Sequence, residues 1–398
     1  MITLKEAYEK IDEAVSPIEA RKLPLIEAAG CVINRDIVSP VNVPDFRCPS
    51  MDGIAIRHSD LEGEGPWRLS IQTVIAAGDY KSQILLLKRA VKIMTGAPLP
   101  EGADTVIPIE EVEIGSTEVV IREKPAAGEY IRDIGDDIRE KEELIQEGDL
   151  LDPIGIGILA SIGLEEIEVI PRPKIAVIST GTEIVERGAA LKRGQIYDSN
   201  RIMLRSLLKR DNLSTPLLNR LCRDDLSVLC ETISECLDCC DLIITTGGVS
   251  VGDYDLIPEA ISVLGGVLLF HKVAIKPGKP ILAAKLGKSW FLGLSGNPVS
   301  VVAGYHLFGK RIISRLMGRV YSPRIVQAAL GRDLIIRGER FSITGARLEN
   351  SGESVIAYPA RRQQSGRLSS LKGIDGFIML EGGDRIISKG TKVNIELL

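Results

Sequence analysis

Aromatic side chains are scarce in this chain, with six Phe, two Trp and eight Tyr among 398 residues. So thin a supply excludes a surface that works by stacking successive bases on rings. Net positive charge is missing as well. The formal balance of −5 argues against a general nucleic-acid binder, while leaving room for a local basic pocket. No window approaches the roughly 18 uninterrupted apolar residues of a membrane span, and the N-terminus has no apolar signal core. These absences predict a cytoplasmic protein with neither a membrane nor a nucleic-acid partner.

Seven cysteines, an odd number, sit mostly inside apolar segments, which suits a reducing compartment better than a disulfide framework. Cys236, Cys239 and Cys240, with Cys222 and Cys230 nearby, invite a metal reading. The run from Asp225 to Cys240 has helical spacing, however (Leu226, Leu229, Ile233, Cys236, Leu237, Cys240), and free cysteine packs as a small hydrophobe. No second paired-cysteine knuckle or nearby histidine completes a zinc set, so packing is the preferred reading.

What is present is a chain too long for one ordinary core, with the 44% hydrophobic and 26% charged content of a globular protein. Four regions separate by pattern. Residues 1–43 begin with a helix (Leu4, Ala7, Tyr8, Ile11, Ala14, Val15) closed by Ser16-Pro17, and residues 138–170 return to partly helical sequence. Together they read as the two parts of one linking domain. Residues 44–137, rich in Gly and Pro with short runs such as Val91–Met94 and Thr105–Ile109, read as a small β domain.

From 171 to 319 strand and helix alternate. Ile175–Ile178 and Leu242–Thr246 read as strands. Helices are predicted over Asn200–Arg210, behind an Asp198-Ser199 cap, and over Asp225–Cys240, Leu256–Leu264 and Pro298–Met317. That pattern predicts a doubly wound α/β domain with a parallel sheet, whose ligands bind at the carboxyl ends of the strands. Residues 320–398 show short alternating runs, Phe377–Leu380 and Val393–Leu397 among them, and predict a C-terminal β-barrel.

The run Leu242–Asp255, Leu-Ile-Ile-Thr-Thr-Gly-Gly-Val-Ser-Val-Gly-Asp-Tyr-Asp, carries the most chemistry. A buried strand ends on a glycine turn, where Gly247, Gly248 and Ser250 can offer N–H groups to a phosphate. Asp253 and Asp255 follow, suggesting a divalent metal that bridges to it. Two more loops fall at strand ends. Ser179-Thr-Gly-Thr-Glu places Glu183 beyond a strand, and Ser295-Gly-Asn leads Asn297 into a helix N-terminus that favours anions. Each loop alone could be an ordinary turn; three at one sheet edge make a site. Ile275-Lys-Pro-Gly-Lys-Pro presents Lys276 and Lys279 on a stiff loop suited to phosphate or oxyanion. Asp52 precedes a glycine, and Thr95 exposes a hydroxyl at a strand end. Spacing alone goes as far as a magnesium-dependent enzyme acting on a phosphate ester or anhydride.

Several motifs together closely resemble the molybdopterin molybdenumtransferase family, which includes the C-terminal domain of gephyrin. They are Pro49-Ser-Met-Asp-Gly, Met94-Thr-Gly-Ala-Pro-Leu-Pro, Ser179-Thr-Gly-Thr-Glu, Gly194-Gln-Ile-Tyr-Asp-Ser-Asn, Gly247-Gly-Val-Ser-Val-Gly-Asp-Tyr-Asp, Ile275-Lys-Pro-Gly-Lys-Pro and Ser295-Gly-Asn-Pro-Val-Ser. The resemblance implies an elongated four-domain homodimer that completes molybdenum cofactor synthesis. Adenylated molybdopterin is hydrolysed with Mg2+, molybdate (or tungstate) is transferred to the dithiolene, and AMP leaves.

By the same resemblance Asp52, Thr95, Asp137, Glu183, Asp224 and Asp255 are the functional polar residues, with Glu183 and Asp255 as metal ligands. Lys276, Lys279 and Ser300 are anion-binding. The cleft would lie between the α/β domain of one subunit and the small β domain of the other, and contact with the molybdopterin adenylyltransferase is expected. Three positions depart from the family: Ile54 stands for a usual Tyr, Ser295 for a common Pro, and Phe341–Thr344 lacks an Arg. Ser369 and Arg340 are left as candidates for oxyanion contact in the last domain. An adenylyltransferase and a non-enzymatic gephyrin-like scaffold are the alternative readings.

Overall fold

In the computed structural model the described residues are 1–79, 83–212, 214–249, 256–352, 354–360 and 364–398. They form two compact units, one of residues 1–23, 28–34 and 168–398, the other of residues 24–27 and 35–167.

The second unit is built on a six-stranded sheet in the order 105–108, 53–56, 89–93, 67–75, 118–121, 112–114. The runs at Val91 and Thr105 are strands, as their β-branched residues suggest. Ile54, Ile56, Leu69, Ala90 and Ile107 close one side of its core. A helix at Pro153–Ser161 starts as its sequence dictates, with Pro in the first turn and Asp152 Oδ1 accepting from Gly155 N at 2.7 Å.

In the first unit the N-terminal helix runs Leu4–Ala14 behind a Thr3/Glu6 capping box. Tyr8 packs on Phe308, and Arg311 Nε and Nη2 donate to Asp12 Oδ1 and Oδ2. The α/β sheet has six strands in the order 215–222, 174–180, 242–246, 289–294, 282–286, 267–271. The first four are parallel.

The expected parallel sheet forms its four-stranded core, and an antiparallel edge extends it, because 282–286 and 289–294 form an antiparallel hairpin and 267–271 pairs antiparallel beyond it. The hairpin closes through Gly287-Lys288, where Gly287 has φ +53°, a turn too short for a crossover helix. Helices form at Asn200–Asp211, Leu226–Leu237, Ile257–Val263 and Pro298–Leu316, the last with a π-helical turn at Tyr305–Gly309.

Leu242, Ile243 and Ile244 are wholly buried between these layers, each contributing roughly 1.5–3 kcal/mol by leaving water. Cys222, Cys236 and Cys240 belong to the same core, and no cysteine is in a disulfide.

The last region closes into a five-stranded barrel: 341–351 pairs with 354–359, then 325–330, 392–397, 376–380, and back to 341–351. A short strand, Ile275–Lys276, pairs in parallel with Phe341–Ser342 on the barrel. That pairing ties the lysine loop of the α/β region to the barrel wall. Among the described residues no helix is long and apolar enough to cross a membrane.

Candidate active site

Polar residues collect where the buried strands of the α/β sheet end. Ser179 and Thr246 are register partners on adjacent parallel strands, and their hydroxyls lie 3.2 Å apart. Ser179 Oγ donates to Asp198 Oδ1 at 3.0 Å. Asp198, almost wholly buried, also accepts from Arg201 N and, through Oδ2, from Arg201 Nε at 2.6 Å. The expected cap before the helix at Asn200 is therefore supplied by Asp198, while Ser199 makes no side-chain cap. Arg201, itself buried, also holds Glu186. A buried charge persists when it is paired in this way.

Glycine is required at the next strand end. Gly247 has φ +98°, and a Cβ there would lie 2.5 Å from Thr180 O. Its N–H donates to Leu294 O at 2.9 Å, which draws the Ser295-Gly-Asn loop beside it. Asn200 Nδ2 donates to Gly296 O at 2.7 Å and fixes that loop from the other side. The Thr-Gly-Thr-Glu loop is held by Asp224, whose Oδ2 accepts from Thr182 N at 2.9 Å and Thr182 Oγ1 at 3.1 Å.

The three loops predicted to share an edge thus line one cavity of about 810 Å³, with Glu183, Asp224, Gly247, Gly248, Ser295 and Asn297 in its wall. Ser250, Asp253 and Asp255 lie outside the described residues.

A second cavity of about 710 Å³ is strongly basic. Lys276, Lys279, Arg337 and Arg340 line it with Ser300, and among the described residues none of its lining is acidic. Lys276 Nζ donates to Arg337 O at 3.4 Å, and Arg340 Nη1 to Ile275 O at 3.3 Å. Ser295 and Asn297 line both cavities, so the two share a wall. Ser295 is 7% exposed, and its hydroxyl has no hydrogen-bond partner among the described residues.

Sequence reasoning missed Arg337 and the barrel hydroxyls Ser342 and Thr344. Arg337-Gly-Glu-Arg340 was the available signal, two guanidinium groups in a short turn. Ser369 stands apart, in an apolar groove with Met203, Leu207 and Val302.

In the other unit Asp52 and Thr95 meet directly, Thr95 N and Oγ1 both donating to Asp52 Oδ1. The Thr95 hydroxyl, and then its amide, hold the Asp52 carboxyl below the usual carboxylate range. Ile54, the departure beside it, points into the core of the sheet. Asp137 sits exposed on a turn whose N–H donates to Val43 O, while its neighbour Asp136 pairs with Arg132.

Among the described residues no three His, Cys, Asp or Glu side chains gather into a metal-holding cluster. Glu183 and Asp224 on the cavity wall are nevertheless hard-oxygen donors of the kind magnesium takes beside a phosphate.

Three family models cover the chain: "MoeA N-terminal region (domain I and II)" at residues 2–163, "Probable molybdopterin binding domain" at 176–315, and "MoeA C-terminal region (domain IV)" at 327–398. A molybdopterin molybdenumtransferase of Staphylococcus aureus is 32% identical over 100% of this chain and 95% of its own. That of Haemophilus influenzae is 38% identical over 80% of this chain and 78% of its own. A crystal structure of a molybdopterin biosynthesis MoeA protein from a Pyrococcus species superposes with TM-score 0.80 at 30% identity, covering 100% of this chain and 99% of that one.

Proposed function

The chain belongs to the molybdopterin molybdenumtransferase family, and from that membership we propose that it hydrolyses adenylated molybdopterin and passes molybdate to the dithiolene, releasing AMP. The observation that carries this reading is the pair of cavities joined at Ser295 and Asn297. One has the glycine loop and carboxylates that suit a phosphoanhydride; the other has, among the described residues, four cations and no acid, which suits a free dianion such as molybdate or tungstate.

In this reading the Gly247 amide donates to Leu294 O and fixes the turn, while the amides that follow it, from Gly248 on, seat the phosphates. Glu183 and Asp255 would hold a magnesium ion, with Asp224 fixing the loop that carries Glu183. When bound, that ion would neutralise charge on the anhydride oxygens. Water is oriented by the carboxylates and breaks the phosphoanhydride, so that AMP departs. Lys276, Lys279, Ser300 and Arg340 hold the oxyanion in place. As sulfur binds the metal, two thiol protons leave with one molybdate oxygen as water.

The protein acts as a homodimer in this proposal, with Asp52, Thr95 and Asp137 of one copy completing the cavity of the other. The ionised Asp52, kept so by Thr95, then serves as an acceptor for a substrate proton or N–H.

The test is AMP release from adenylated molybdopterin by the purified protein with magnesium, with and without molybdate. Release stimulated by molybdate and lost in Asp255→Ala supports the reading. No AMP with either molybdate or tungstate would refute it, and adenylation by ATP without molybdate would move the protein to the adenylyltransferases.

A further inference from the structure

Cys239 and Cys240 pack at the margin of the α/β core, and their sulfurs also meet beside a cavity. Cys239 and Cys240 follow the helix Leu226–Leu237 directly, and their sulfurs lie 3.7 Å apart. They border a cavity of about 460 Å³ at the end of the sheet where the strands Lys174–Thr180 and Ser289–Leu294 begin, the edge opposite the glycine loop. Cys239 is half-buried there and Cys240 is 5% exposed.

The pair is held rigidly. Cys239 N and Cys240 N both donate to Cys236 O, at 3.3 and 2.9 Å. Ser289 Oγ donates to Cys240 O at 2.6 Å. Asp241 is pinned by Lys174 N on its carboxylate and by Trp290 N on its carbonyl.

The sulfur separation, which two thiols in contact also show, already matches that of a chelate. Two thiolates about 2.3 Å from a tetrahedral ion stand about 3.8 Å apart, close to the distance found before any ion is added. A disulfide, by contrast, needs about 2.05 Å. The pair also sits at the C-terminal end of a helix, where the dipole favours a cation. Four basic and three acidic side chains otherwise line the cavity, so its charge does not bar a divalent ion.

We propose that Cys239 and Cys240 form an open two-thiol site for one soft divalent cation of the zinc and cadmium class, separate from the magnesium chemistry of the opposite edge. Its remaining positions are filled by water or a small thiol.

Cadmium titration of the reduced full-length protein tests this through the cadmium–thiolate charge-transfer band, to which ions bound by carboxylates contribute nothing. The expected result is a band that saturates at one ion per chain, is displaced by zinc, and is lost in Cys239→Ser and Cys240→Ser but kept in Cys230→Ser. A wild-type protein without the band, or an undiminished band in Cys239→Ser, overturns the proposal. Cys239 is accessible enough that its variant decides the matter even if Cys240→Ser fails to fold. The readout is independent of AMP release, so it stands or falls apart from the proposed function.

Discussion

Thr95 gives its backbone amide and its hydroxyl to the same oxygen of Asp52, at 2.8 and 2.6 Å. One carboxylate oxygen thereby accepts twice, and among the described residues no hydrogen bond is made to the other. Because these bonds favour the ionised form, the Asp52 carboxyl titrates below its ordinary range. Any stability it contributes is present above the ordinary carboxylate pKa and is lost as pH falls through the depressed value. In Thr95→Val the amide bond remains and the hydroxyl bond goes, so the Asp52 carboxyl should titrate at higher pH. Carboxyl carbon NMR would show the shift, and the acid limb of AMP release should move the same way. An unmoved titration would mean that the hydroxyl contributes nothing to the charge state.

Gly247 offers a sharper test of the loop. With φ +98° and Thr180 O 2.5 Å from where a Cβ would sit, Gly247→Ala meets both a strained backbone and a clash. It should cost at least about 1–3 kcal/mol of stability and abolish AMP release. Gly296→Ala, in the adjoining loop, meets nothing among the described residues nearer than Gly247 Cα at 3.8 Å. It should unfold at nearly the wild-type urea midpoint. Equal loss in both would show that any bulk at this edge is fatal, whatever its backbone demands.

The basic cavity makes a prediction about one substrate alone. Lys279→Ala and Arg340→Ala each remove a cation from a wall that has no acid among the described residues. A hydrogen bond to a charged group contributes about 1.5–3 kcal/mol, so the molybdate KM should rise roughly 10- to 100-fold in each. The KM for adenylated molybdopterin should change much less. Raised salt should weaken molybdate further in the wild type. If both substrates lose affinity equally, the two cavities do not divide the ligands as proposed.

The glycine loop was legible in sequence because two constraints coincide there. A strand buried on both faces must be apolar, and a turn with left-handed φ needs glycine, so Leu242–Gly248 could hardly be read otherwise. The hairpin at Gly287 was not legible as antiparallel, since a fully buried strand has the same composition in either direction. Arg337 and Arg340 resembled an ordinary solvated turn. They join the lysines because Ile275–Lys276 pairs with Phe341–Ser342, a contact between segments that no local pattern announces. Arg201 was invisible for a similar reason. A basic residue in a helix's first turn usually faces water, whereas here Asp198 and Glu186 hold it inside.

The proposed dimer arrangement can be tested by complementation. If Asp52 of one copy serves the cavity that contains Lys279 of the other, a dimer of one Asp52→Ala chain and one Lys279→Ala chain has one site with both defects and one with neither. Isologous pairing makes the two sites equivalent in the wild type. Such a heterodimer, purified with two different affinity tags, should therefore release AMP at about half the wild-type rate. Each homodimeric variant should be nearly inactive. Were Asp52 and Lys279 of the same chain to share a site, every site in the heterodimer would carry one defect and the mixture would be as inactive as its parents. Measuring AMP release from the three purified species under identical molybdate and magnesium separates the two arrangements without reference to the order of hydrolysis and insertion.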